Sequence, residues 1–120
     1  MRGSGRNSPF RRRSVNRVAA CRFSRRAEAD LFRIGEYTLR TWGPAQTIRY
    51  IDDLEACCQR LADNPASGRP CDHVHPGLLR MEQGKHVVFF RREPGGILVS
   101  RILHERMLPE RHTIDDEDET

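Results

Sequence analysis

Residues 84–107, GKHVVFFRREPGGILVSRILHERM, carry the strongest structural signal in this chain. They contain two extended apolar segments, Lys85–Arg92 and Ile97–His104, separated by the turn sequence Glu93-Pro94-Gly95-Gly96. A connection this short joins antiparallel neighbours. A third extended segment, Leu78–Glu82, comes just before, so the pattern predicts a three-stranded antiparallel meander.

Two helical patterns precede the meander. Apolar residues recur with helical spacing across residues 27–42 and again across residues 48–61. Between them, Gly43 can end one helix in the left-handed conformation, and Pro44 suits the first turn of the next. Asn64-Pro65 is a stop signal for the second helix. So tight a corner predicts an antiparallel helical hairpin. The apolar sides of both helices then need a sheet to pack against.

The segment Val18–Phe23 suits a strand, and Ser24 after it is a suitable N-cap. We expect this strand to join the edge of the meander, while residues 66–77, rich in Pro, Gly and Asp, predict a loop. The resulting fold is α+β, in the order β-α-α-β-β-β, with the helical hairpin packed on a four-stranded, mostly antiparallel sheet. The predicted core residues include Phe89, Phe90 and Trp42.

Length and charge define the predicted domain boundaries. A chain of 120 residues suits one domain, and its formal net charge of +4 is mild. Residues 1–17 hold six arginines and no acid, whereas residues 115–119 are all Asp or Glu. We therefore expect a disordered basic arm at 1–17, a folded domain at 18–113 and a disordered acidic tail at 114–120. The alternatives are that the arm contacts DNA and that the tail folds back on a basic face.

The sequence predicts a cytoplasmic protein without metal or cofactor. No run reaches the ~18 apolar residues of a membrane span, and Asn16 and Arg17 interrupt the apolar run that an export signal would need. The four cysteines lack zinc-type spacing and are expected to be reduced thiols. The run Cys71-Asp72-His73-Val74-His75 reads as a polar loop, with a metal site as the alternative.

The meander also closely resembles the ParE toxins of bacterial toxin–antitoxin modules, within the ParE/RelE superfamily. The motifs that carry the resemblance are Pro76–Arg80, Gly84–Arg91, Val99–Met107 and Pro109–His112, and it extends over roughly residues 18–114. It implies a RelE-like fold and a toxin that inhibits DNA gyrase by binding rather than by catalysis. It also implies a ParD-type antitoxin that neutralises the toxin, and contact with operator DNA only through the complex with that antitoxin.

In such modules the antitoxin wraps the toxin with a segment that folds on contact. We expect docking on the first helix and on the late sheet face. The candidate residues for binding target or antitoxin are Arg33, Arg40, Arg80, Arg91, Arg101 and Arg106. Arg101 lies mid-strand, where it either contacts a ligand or forms a structural ion pair with Glu36 or Asp30.

The alternative function is that of a ribosome-dependent mRNA endoribonuclease of the RelE type. Catalysis would then fall to His104, Arg106 and His112, since Arg binds phosphate and His titrates near neutrality. The chain departs from the RelE pattern because both tyrosines fall on predicted helices and Lys85 is its one lysine. A third hypothesis is a degenerate, non-toxic family member. In the leading hypothesis no residue is catalytic, and His104 is structural.

Overall fold

A computed structural model describes residues 19–107 of the chain. The predicted arm, the predicted tail and His112 lie outside these residues. The elements are the strands and helices β1 (Ala20–Phe23), α1 (Arg25–Trp42), α2 (Pro44–Asp63), β2 (Arg69–Pro70), β3 (Leu79–Gln83), β4 (His86–Glu93) and β5 (Gly96–His104). A 3₁₀ turn, Pro65–Ser67, follows α2.

The strands form one mixed sheet in the order β1-β5-β4-β3-β2. β1 runs parallel to β5, and the remaining pairs are antiparallel. The predicted α+β architecture is confirmed, with one addition, because the loop predicted at 66–77 contains the two-residue strand β2. Its composition gave no strand signal. β2 approaches β3 because Gly68 precedes it, where a Cβ would lie 2.4 Å from the ring of Phe90.

Ser24 fixes the start of α1 to the sheet, as the N-cap prediction requires. Its Oγ accepts a hydrogen bond from the Ala27 N–H at 2.9 Å and donates one to the carbonyl of Ser100 at 2.8 Å. At the other end of β5, Gly96 allows β1 to pair, since a Cβ there would lie 1.8 Å from the carbonyl oxygen of Ala20. The Ser24 hydroxyl therefore ties the end of β1 to β5, and the absence of a side chain at Gly96 lets the two parallel strands approach.

The hydrophobic core lies on both faces of the sheet. The helical hairpin covers one face, where Leu54 of α2 and Phe90 of β4 are fully buried. Residues 71–78 cover the other face, where Phe89 belongs to a smaller cluster with Cys71 and Leu103. The prediction that Phe89 and Phe90 are core residues is confirmed, and their opposite directions follow from strand alternation.

The prediction that Trp42 belongs to the core is wrong, because its side chain is 68% exposed. The buried stripe of α1 ends one turn earlier, at Thr38, although the helix continues to Trp42. The periodicity of the sequence marks which side of a helix is apolar, but not where along the helix the sheet stops covering it. The last turn of α1 therefore presents an indole to solvent.

Candidate binding groove

An open groove runs along α1, past the start of α2 and over the last residues of β5. Its volume is about 750 Å³. We call it the α1 groove; its lining includes the exposed aromatic residues Tyr37 and Trp42, the apolar residues Ile34 and Ile102, and Met107 at the last described position. Tyr37 is 60% exposed and Trp42 is 68% exposed. The side of α1 next to β5 is thus apolar and solvent-accessible at the same time.

A buried ion pair lies beneath the groove, which only its carboxylate partner lines. Asp30 of α1 is 4% exposed and Arg101 of β5 is 7% exposed. The Arg101 guanidinium donates to both carboxylate oxygens of Asp30, from Nε at 2.7 Å and from Nη2 at 2.9 Å. Of the alternatives predicted for Arg101, the geometry matches the ion pair with Asp30.

The same carboxylate covers an open strand edge. β1 pairs with β5 along Gly96–Val99, and farther along β5 the N–H of Ile102 donates to Asp30 at 2.9 Å. Arg33 adds a further donor, with Nη2 at 2.7 Å from Asp30, while its side chain stays 62% exposed at the groove rim. The four donors satisfy both oxygens of the carboxylate, as a buried charge requires.

A tyrosine and two histidines form a connected cluster at the end of the groove near the β3–β4 turn. The Tyr50 Oη accepts from the Lys85 N–H at 3.0 Å and lies 2.6 Å from the Nδ1 of His86. The rings of His86 and His104 meet edge to face, with centroids 5.4 Å apart. The Nδ1 of His104 accepts from the Arg106 N–H at 3.1 Å.

The hydrogen bonds and the burial of this cluster bear on the protonation of its rings. The Nδ1 of His104 accepts a backbone N–H and so carries no hydrogen, whereas the direction of the hydrogen bond between the Tyr50 hydroxyl and the Nδ1 of His86 depends on the His86 tautomer. Burial, reinforced by neighbouring His104, lowers the pKa of His86 to about 4. Burial likewise raises the pKa of Tyr50. At neutral pH the Tyr50–His86 pair is therefore uncharged, with its hydrogen bonds already formed.

The structure brings three of the predicted site residues together at the α1 groove, namely Arg33, His104 and Arg106. Arg101 is buried against Asp30. Arg40, in the last turn of α1, Arg80, on β3, and Arg91, on β4, are not among the residues that line the groove. The guanidinium of Arg80 lies 5.8 Å from the centre of the Phe89 ring and 2.8 Å from Glu82.

The sequence interpretation missed Tyr50 as a site residue, left His86 outside its candidate sites and placed Trp42 in the core. One signal could have paired the histidines, since they face each other across the β4–β5 hairpin. Counting outward from the Glu93–Gly96 pair, however, places His86 opposite Leu103. A bulge between Phe89 and Phe90 leaves Ser100 of β5 without a register partner, and this shift brings His104 opposite His86.

Metal ligation and membrane insertion also bear on the kind of site. Among residues 19–107 there is no group of three or more His, Cys, Asp or Glu side chains placed to hold a metal ion. Within the same part of the chain, the helices are too short or too polar to span a membrane.

Comparison with known proteins identifies the family. The sequence-family model for the ParE toxin of type II toxin–antitoxin systems, parDE, matches residues 21–109 of this chain. Toxin ParE1 of Mycobacterium tuberculosis is 39% identical over 82 residues, which cover 68% of this chain and 84% of that protein. Toxin ParE1 of Caulobacter vibrioides is 38% identical over 93 residues (76% and 94%), and Toxin ParE of Escherichia coli is 43% identical over 82 residues (68% and 80%).

The fold has a solved counterpart. A structure of the chromosomal ParDE TA system from P. aeruginosa superimposes with a TM-score of 0.61 at 24% identity, covering 72% of this chain and 96% of that one. Its likeness supports the helical hairpin on a mixed sheet. The extent of the family match, together with these relatives, shows that the chain belongs to the ParE toxin family of type II toxin–antitoxin systems.

Proposed function

We propose that this member of the ParE family acts in the cytoplasm as a toxin that inhibits DNA gyrase by binding, and that a ParD-type antitoxin neutralises it. Three relatives carry the name Toxin ParE or Toxin ParE1, and the matching solved structure is of a ParDE system. These names support both the toxic role and the partner. The gyrase target follows from the family resemblance.

The observation that carries the antitoxin proposal is the exposed aromatic wall of the α1 groove. Leaving Tyr37 and Trp42 largely in water forgoes the hydrophobic stabilisation that burial would give, and apolar clefts of this kind suit an amphipathic segment that folds on contact. The lining also holds three basic residues, Arg33, Lys85 and Arg106, against two acidic ones, Asp30 and Glu105. The groove therefore suits a segment with apolar side chains on one face and carboxylates beside it.

The polar cluster supports a binding role better than a catalytic one. A general base works best with a pKa near the working pH, whereas the pKa of His86 is about 4. The Nδ1 of His104 already accepts from the Arg106 N–H. This contact orders the turn that follows β5 at the end of the groove.

The remaining predicted arginines stay candidates for target contact. Arg40, Arg80 and Arg91 lie outside the α1 groove, so a partner that uses them approaches another surface. Substitution of each by alanine should weaken gyrase inhibition without loosening the antitoxin complex. Supercoiling assays and antitoxin titrations on the same three variants test this separation.

The test of the proposed target begins with pulse-labelling of DNA and protein synthesis in parallel, minutes after the chain is induced without antitoxin. Early loss of DNA synthesis, followed by loss of supercoiling in a purified gyrase assay, is the expected result. Continued DNA synthesis during growth arrest would contradict it. Unimpaired growth on strong induction would instead indicate the non-toxic family member.

The test of the antitoxin surface compares Trp42→Ala with Phe32→Ala. Both side chains are 68% exposed on α1, but only Trp42 lines the groove. We expect Trp42→Ala to weaken the complex with the co-encoded antitoxin at least tenfold, and Phe32→Ala to leave it within twofold, by calorimetric titration. Equal effects of the two substitutions would remove the groove from the antitoxin interface.

A second candidate function rests on the Tyr50–His86–His104 cluster beside Arg106. A phenol, two imidazoles and a guanidinium at one groove are groups that ribonucleases use to bind phosphate and move protons. A ribosome-dependent endoribonuclease would stop protein synthesis first and lose activity in His104→Ala or Arg106→Ala, with His112 the third residue to substitute. Intact message ends in arrested cells would exclude it.

A further inference from the structure

The chain beyond the described residues continues from the α1 groove itself. Met107, the last described residue, lines the groove and is 38% exposed. The acidic run begins at Asp115, eight residues farther on, and an extended chain of that length reaches up to about 28 Å. The groove wall along α1, from Asp30 to Trp42, is about 18 Å long at the usual helical rise. The acidic residues can therefore follow the whole of that wall.

The exposed charge of the groove is mostly basic. Of its two acidic lining residues, Asp30 is 4% exposed and already faces the buried Arg101. Arg33 stays 62% exposed at the rim. Among residues 19–107, no salt bridge involves the side chain of Lys85 or Arg106. Two cations at the groove are thus without a carboxylate partner within the described chain.

The acidic tail has the chemistry that matches this lining. Ile114 stands directly before five consecutive carboxylates, so an apolar side chain and negative charge are adjacent in sequence. The groove offers aromatic rings for the first and cations for the second. The basic arm at residues 1–17 is the opposite case, because its six arginines and no acid would be repelled by the same cations.

We propose that residues 108–120 fold back over the α1 groove of the same chain. Ile114 then packs on the aromatic wall of the groove. The carboxylates of residues 115–119 lie beside Lys85 and Arg106. A short tether gives an effective concentration of about a millimolar, so even weak contacts keep the groove occupied for much of the time.

The docked tail regulates access to the groove. A partner that binds there must displace the tail, and its apparent affinity falls by the fraction of molecules whose groove is open. For the antitoxin this consequence rests on the proposed function, whereas the docking of the tail does not.

Trp42 reports on the docking, because it is the single tryptophan of the chain and lines the groove. The experiment measures acrylamide quenching of its fluorescence in the full chain and in a full-length variant with a neutral tail. That variant carries Asp115→Asn, Asp116→Asn, Glu117→Gln, Asp118→Asn and Glu119→Gln. We expect the variant to have a quenching constant about twofold higher in dilute buffer. The difference should shrink in about 1 M sodium chloride, where the Debye length is about 3 Å.

Two charge reversals of equal size test the groove side of the contact. Lys85→Glu/Arg106→Glu should raise the quenching constant as the neutral tail does. Arg60→Glu/Arg92→Glu changes the net charge by the same amount at exposed positions outside the groove, and should leave the constant near that of the unaltered chain. Circular dichroism of each variant establishes that the comparison is made on folded protein.

Equal quenching of the unaltered chain and the neutral-tail variant in dilute buffer would overturn the proposal. Protection of Trp42 that disappears on dilution would overturn it too, since the tail would then dock on a second copy. Titration with the co-encoded antitoxin separates this proposal from the proposed function. We expect the neutral-tail variant to bind the antitoxin about threefold more tightly. A changed quenching constant with unchanged antitoxin affinity would support the docking and remove the groove from the antitoxin interface.

Discussion

Replacing Asp30 by asparagine should test how the first helix is held on the sheet. The substitution keeps the shape of the side chain but removes the negative charge that the buried guanidinium of Arg101 contacts through Nε and Nη2. Breaking a buried pair from one side costs about 3–5 kcal/mol. With a urea dependence of about 2 kcal/mol per molar, the unfolding midpoint should fall by roughly 1.5–2.5 M. Far-UV circular dichroism is the suitable signal, because the single tryptophan, Trp42, is already 68% exposed in the folded protein.

Two further variants separate charge from hydrogen bonding. In Asp30→Asn/Arg101→Met no buried charge remains, while the asparagine oxygen still accepts from the Ile102 N–H. The double variant should therefore be more stable than Asp30→Asn alone. Arg33→Met removes the exposed partner of the same carboxylate and should cost less than about 1 kcal/mol, as solvent-screened pairs do. A cost below about 1 kcal/mol for Asp30→Asn would refute the reasoning. Strict additivity of Asp30→Asn and Arg101→Met in the double variant would refute it as well.

Three other outcomes are expected. Gly96→Ala should detach β1 and lower the thermal midpoint, because a Cβ would stand 1.8 Å from the Ala20 carbonyl oxygen. Gly35→Ala, in mid-helix with nothing within 4 Å of the new Cβ, should stabilise the protein by about 0.5–1 kcal/mol. Equal effects of the two substitutions would contradict the packing described at Gly96. Ser24→Ala removes the N-cap and the bond to β5 and should cost about 1–2 kcal/mol by urea unfolding; a neutral result would mean that another group caps α1. His86, with a pKa of about 4 when folded and 6.5 as its ordinary value, binds more protons when unfolded, so stability should fall as pH drops from 6.5 to 4. The loss should be on the order of 1–2 kcal/mol after discounting for its half-exposed ring, and less in His86→Gln; the same pH slope in both proteins would refute this.

The fold was predictable from sequence where local chemistry determines it. The helix spacing, the Gly43–Pro44 corner and the Glu93–Gly96 turn each specify structure within a few residues, and the resemblance to ParE agrees with all of them. The two-residue strand β2 was not predictable, because its pairing with β3 depends on Gly68 meeting the Phe90 ring, a contact between residues far apart in sequence.

The groove was predictable only in part. Arg33, His104 and Arg106 were named from charge and position, and they do line it. Tyr50 was missed because a hydrogen bond across 36 residues has no spacing signal. An ion pair of Arg101 with Glu36 or Asp30 was one of the predicted alternatives, because a charged residue between apolar neighbours needs a carboxylate partner. Which carboxylate it meets depends on how α1 crosses the edge of β5.

The bulge at Ser100 makes the length of β5 a determinant of which side chains meet at the end of the groove. It divides β5 into two parts that pair with β4 in different registers. The part near the turn pairs with β1 and packs in the core, and the part beyond the bulge contributes side chains to the groove. If β5 paired without the bulge, Leu103 rather than His104 would lie opposite His86, and an aliphatic side chain would replace an imidazole at the polar end of the groove. One residue inserted in β5 beyond the bulge would make the same exchange, so the length of this strand, as well as its side chains, determines what the polar end of the groove presents.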